Sequence, residues 1–145
     1  MKKRSIALAL ALLVTLAAAG CGKAPKYNDG IYFAQADNYD ESGWMDAVTI
    51  EVDGGKIVGV DYNSYNEAGQ DKKTLSEKGE YNMVSGGARS QWHEQTASLE
   101  AALKSNQDIS KITLKSDGVT DAVSGVTMKA NEFVKLAKKA LAMAQ

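Results

Sequence analysis

One cysteine, one histidine and one proline occur in the 145 residues, and charge of neither sign dominates, with 17 Lys plus Arg against 18 Asp plus Glu. Each scarcity excludes something. With Cys21 alone no intrachain disulfide forms, so the core holds the fold unaided. With His93 alone, neither a zinc site of His and Cys ligands nor a Ser-His-Asp triad has a starting point. Asp37, Asp40 and Glu41 offer oxygens for calcium, but not at the spacing of a calcium-binding loop. A basic patch for nucleic acid is missing, and no metal site is expected. Long apolar runs are absent after Cys21, so no membrane span is expected there.

What is present begins with a three-part leader. Lys2, Lys3 and Arg4 precede the apolar run Ile6–Ala19, and small residues Ala17, Ala18, Ala19 and Gly20 lead into Cys21. The run is shorter than the roughly 20 residues a membrane span needs, which reads as a secretory signal. Leu16-Ala-Ala-Ala-Gly-Cys21 resembles the bacterial lipobox, with Ala18 where that pattern usually has leucine. The resemblance implies cleavage before Cys21 and its diacylation; two acyl chains suffice for stable anchoring where one is marginal. Residues 1–20 are thus expected to be a signal peptide, 21–29 a lipidated tether carrying Pro25, and 30–145 one domain, exported and lipid-anchored on the extracytoplasmic side. Loss of the three leader cations leaves 14 basic residues against 18 acidic ones, a net charge of −4.

Ile31–Ala36 is short, aromatic and bounded by polar residues, as expected of a strand. Val48, Ile50 and Val52 alternate with Thr49, Glu51 and Asp53, the period of a half-buried strand. Asp53-Gly54-Gly55 supplies the positive-φ residues of a tight hairpin turn into Lys56–Tyr62. A polar loop entering a short helix near Leu75–Val84 is expected next, ended by Ser85-Gly86-Gly87. From Ser90 the period is helical: Trp92, Thr96, Leu99 and Leu103 share one stripe, and Asn106-Gln107-Asp108 closes the helix. Lys111–Lys115 alternates as a short strand does. A last helix follows, with Phe133, Ala137, Ala140, Leu141 and Ala144 inward and Lys135, Lys138 and Lys139 outward. The sum is an α+β domain, a small mainly antiparallel sheet with an N-terminal hairpin packed against two or three helices.

Asp121-Ala-Val-Ser124-Gly125-Val126-Thr127 precedes the last helix. Ser124 is a candidate helix N-cap, and Gly125 permits close approach of a ligand to the backbone. First-turn amides, backed by the helix dipole, would then hold a phosphate without a basic side chain. Plain capping explains the same residues. Trp44 and Trp92 suit either stacking on a planar ring or ordinary core and rim packing. His93 reads as an exposed helical histidine.

The segment resembles the flavinylation motif of FMN-binding domains, Asp-x-x-Ser/Thr-Gly-Ala-Thr. Such domains occur in peripheral subunits of sodium-pumping quinone reductases, in related electron-transport complexes and in small extracytoplasmic lipoproteins. The resemblance runs from about Asp29 to the C-terminus. It takes in Asp29-Gly-Ile-Tyr32, the Asp-Gly-Gly hairpin with Lys56-Ile-Val58, and Tyr81 with Ser85-Gly86. It implies FMN esterified through its phosphate to Thr127 by a flavin transferase that draws on FAD, with Ser124 and Gly125 forming the phosphate turn and Asp121 opening the motif. Val126 replaces the usual alanine, which sets two extra methyls beside the acceptor where the transferase must fit.

No acid–base or nucleophilic constellation accompanies the motif, so no catalytic residue is assigned. The expectation is an electron carrier with unidentified redox partners rather than a self-contained enzyme. The alternative is a lipoprotein of the same fold that binds a non-flavin ligand or a partner protein.

Overall fold

The computed structural model describes residues 26–145. The expected signal peptide 1–20, Cys21 and Pro25 lie outside these residues. Three strands, β1 (Gly30–Gln35), β2 (Trp44–Asp53) and β3 (Lys56–Asn66), form an antiparallel sheet in the order β1-β2-β3. Val48, Ile50 and Val52 are buried on one face, as their alternation requires. At the β2–β3 turn Gly54 and Gly55 have φ of 57° and 72°. Two consecutive positive φ values match the twist of a two-residue hairpin, and glycine adopts both without steric cost. The carboxylate of Asp29 accepts from the Gly55 N–H at 2.8 Å, and Asn28 N–H donates to the Ala144 carbonyl. Tyr27 is buried in the core, so the packed domain already includes the end of the tether.

Three helices cover the inner face: α1 (Lys72–Glu77), α2 (Trp92–Asn106) and α3 (Asn131–Ala142). Helix α2 lies along β3, and α3 crosses β1 and β2. The stripe of Trp92, Thr96, Leu99 and Leu103 is buried, as is that of Phe133, Ala137, Ala140, Leu141 and Ala144. Lys135, Lys138 and Lys139 face water. The outer face of the sheet leaves Ile31, Phe33 and Val58 exposed.

Two local expectations are corrected. The helix near Leu75–Val84 is instead α1, which ends at Glu77. Gly79, with φ of 76°, turns the chain so that Glu80 N–H reaches the Leu75 carbonyl, an αL stop only one turn into the expected range. Lys111–Lys115 forms no strand; a 3₁₀ turn over Ile109–Lys111 precedes an irregular loop. The outer edge of β3 has no room for another strand. Gln107 accepts from Ile57 N–H and donates to the Ile57 carbonyl, each at 2.8 Å, and Glu100 accepts from Tyr62 N–H at 2.8 Å. Side chains from α2 and its C-cap thus occupy backbone groups that a fourth strand would need.

Candidate functional site

The motif is not the start of a helix. Helix α3 begins at Asn131 with Ala130 as its N-cap, and no side chain caps it. Ser124 and Gly125 lie in a turn of the preceding loop, Gly125 with φ of 83°. The expected phosphate site made from first-turn amides of α3 is therefore not formed. Nor are the Thr127 and Met128 amides free, because both donate to the side-chain oxygen of Gln95, at 2.8 and 2.9 Å. Gln95 is fully buried on α2, and its own N–H group donates to the Ser90 carbonyl. The loop is thus tied to α2 through its backbone, and the hydroxyl of Thr127, an exposed residue, also donates to the Gln95 oxygen at 3.4 Å.

The other motif residues separate. Asp121 is exposed and pairs with Lys115 at 2.7 Å. Val123 and Val126 point into the core, Val126 only 5% exposed. The Val126 methyls, expected to crowd the acceptor, are packed in the core: Val123 and Val126, three residues apart in the loop, are buried, and Thr127 is not. None of Asp121, Ser124, Gly125, Val126 and Thr127 lines the cavity that the next two residues border.

Met128 and Lys129 border a cavity of about 730 Å³ whose aromatic walls are Trp44, Tyr81 and Trp92, with Lys72 among them. That volume falls within the roughly 300–1,000 Å³ of ligand and cofactor sites. Each wall residue is placed by a local device. Trp44 opens β2 after a tight loop in which Asp40 accepts from the N–H groups of Ser42 and Trp44. Tyr81 follows the Gly79 turn and meets Trp44 edge-on at 5.8 Å. Trp92 opens α2, where Glu94 accepts from the Gln91 N–H in capping-box fashion. Lys72 opens α1 beside the cap Asp71, which accepts from Thr74 N–H at 2.7 Å.

The lysine ammonium stands 4.5, 4.9 and 5.3 Å from the ring centres of Trp44, Tyr81 and Trp92. Burial pulls the Lys72 pKa below the usual lysine range, with Asp46 and Asp40 pulling the other way. Asp46 accepts from the Tyr62 hydroxyl at 2.7 Å and from the Ser64 hydroxyl. Burial, with the Asp46 charge behind it, pushes the Tyr62 phenol well above its usual value, so it stays a donor. Of the two readings of the tryptophans, the structure joins them: both are buried, and both wall the cavity. His93 is not an exposed histidine; it is half-buried, its Nδ1 2.9 Å from the Ser76 hydroxyl.

No protein-family model matches the chain. The 15 kDa lipoprotein of Treponema pallidum is 28% identical over 137 residues, covering 94% of this chain and 88% of that protein. Among solved structures, a Clostridium thermocellum protein determined by NMR is 54% identical, covers 79% of this chain and 90% of its own, and superposes with a TM-score of 0.61. The chain belongs to the family of this clostridial protein. The CPE2226 protein of Clostridium perfringens, a crystal structure, is 30% identical over 81% of this chain and 88% of its own, with a TM-score of 0.65. Both matches cover most of the domain, so the sheet and its helices are the fold of the family. Among the described residues no helix is long and apolar enough to cross a membrane.

Sequence reasoning missed Gln95 and Lys72. Gln95 carries a legible signal, being a polar residue one turn from Trp92 and Leu99 on the buried side of α2. Lys72 carries none, because lysine in a polar run reads as solvated.

Proposed function

We propose that the chain is a lipoprotein, anchored through Cys21 outside the cytoplasmic membrane, that carries FMN on Thr127 and relays electrons. The observation that carries this reading is the position of the motif loop. Thr127 is an exposed residue whose backbone N–H and hydroxyl both donate to Gln95, directly before two residues that wall an aromatic cavity. The residues suit the cofactor: tryptophan and tyrosine faces for a planar ring, a volume in the cofactor range, and a buried cation for an electron-rich edge. Bound flavin supplies one- and two-electron transfer, and the chain supplies attachment, orientation and electrostatics. Attachment is a phosphoryl transfer. The Thr127 oxygen–phosphorus bond forms as the pyrophosphate of FAD breaks, AMP leaves, and the hydroxyl proton is lost. A covalent link removes the need for a separate phosphate-binding site, and the Thr127 and Met128 amides, both bonded to Gln95, form none.

The test is the intact mass of the chain co-expressed with a flavin transferase and magnesium. The expected product is heavier by one FMN less water and fluoresces on a denaturing gel. Thr127→Ala loses both while keeping the fold, since an exposed change is usually within about 0.5 kcal/mol. Cys21→Ser moves the protein from the membrane fraction to the soluble one. If wild type binds FMN only reversibly, the ester fails and the flavoprotein stands. If it takes neither the label nor free FMN, the ligand- or partner-binding lipoprotein replaces this reading.

A further inference from the structure

Lys72 and Lys73 are neighbours with opposite circumstances. Lys73 is paired with Asp61 and with Glu100. Lys72 is 6% exposed, yet among the described residues no carboxylate or other hydrogen-bond acceptor pairs with its ammonium. A charge held mostly among rings, with only a cavity-facing outlet to water and no ionic partner, is costly, and a hydrophobic side chain of similar length would pack among the same rings at less cost. Cation–π attraction to Trp44, Tyr81 and Trp92 offsets part of that cost but satisfies none of the three N–H donors as a lone pair would. The ammonium borders the cavity and, since among the described residues no buried side-chain nitrogen lacks a partner, it reaches the solvent there, so a ligand entering the cavity meets a donor that the protein leaves unpaired. The ligand chemistry that fits is planar, aromatic and rich in acceptors at one edge, able to take up negative charge.

We propose that Lys72 sets the charge preference of the bound ring, donating to the acceptor edge of the isoalloxazine and stabilising its reduced, anionic form over the oxidised, neutral one. This rests on the FMN reading above. Two-electron reduction with uptake of one proton leaves one negative charge on the ring, and Lys72 keeps its own proton throughout. The carboxylates of Asp37, Asp40, Glu41, Asp46 and Glu132 also line the cavity and oppose the effect, while Lys129 and Lys135 add to it, so the potential depends on the balance among them, Lys72 being the cation set among the rings.

The experiment is a reductive titration of the FMN-loaded chain with dithionite against a reference dye, for wild type, Lys72→Met, Lys72→Arg and Asp46→Asn. Lys72→Met is expected to lose at least tenfold in preference for reduced over oxidised flavin, a fall in midpoint of about 30 mV for a two-electron couple. Lys72→Arg keeps most of the wild-type value, and Asp46→Asn shifts the midpoint upward. A purely structural lysine would move stability and leave the midpoint alone. An unchanged midpoint in Lys72→Met overturns the proposal while the flavoprotein reading stands. Should Lys72→Met not fold, a midpoint in Asp46→Asn that stays put or falls overturns it equally. A wild-type chain that takes up no FMN removes both.

Discussion

The side-chain oxygen of Gln95, with no exposure to solvent, accepts from the backbone N–H of Thr127 at 2.8 Å and of Met128 at 2.9 Å. One buried side chain on α2 thereby fixes a loop 32 residues away in sequence. An amide suits this task, since its carbonyl takes both backbone donors, with the Thr127 hydroxyl a longer third at 3.4 Å, while its N–H group satisfies Ser90. Position and rigidity of the candidate acceptor are thus properties of α2 as much as of the motif.

Gln95→Met tests that link. Methionine fills similar space but accepts no strong hydrogen bond, leaving two backbone donors unsatisfied. The expected cost is about 1–3 kcal/mol in a denaturant titration. Hydrogen exchange at the Thr127 and Met128 amides should quicken relative to the α2 amides, and the flavinylated fraction should fall. Unchanged exchange at those two amides would show that the loop holds itself.

Leu99→Ala probes the core on the same helix. Leu99 is fully buried between α2 and the sheet, so truncation removes apolar contact and leaves a cavity. The expected loss is about 2–5 kcal/mol. For a domain of typical stability, about 5–15 kcal/mol, that shifts the urea midpoint strongly. A midpoint equal to wild type would place Leu99 on a face that collapses without penalty.

These two residues mark how far the sequence is legible. Leu99 was readable because apolar residues recur at helical spacing, and the β2–β3 hairpin because Gly54-Gly55 admits few other turns. Lys111–Lys115 misled because alternation reports which side chains face inward, not whether an edge is free; Gln107 and Glu100 already cover that of β3. Ser124 misled for a related reason. Capping signals are local, and the real start at Ala130–Asn131 carries no side-chain cap. Gln95, Lys72 and the cavity depend on contacts between segments far apart in the chain, which no window of sequence contains.

Val126→Ala decides whether the valine hinders flavin attachment or serves the core. In sequence the valine stands next to the acceptor, where a smaller residue would ease approach of a transferase. In the fold its side chain turns inward and packs with the core, while Thr127 turns out. Removing two buried methyl-sized groups costs roughly 2 kcal/mol, from about 0.8 kcal/mol per group plus the cavity left behind. The loop loses its inward anchor, so the labelled fraction should stay level or fall when wild type and variant are compared at equal expression and equal transferase. Thermal unfolding measures the first effect and intact mass the second. A variant that is as stable as wild type and takes up more FMN would mean that Val126 faces the transferase, contrary to its burial.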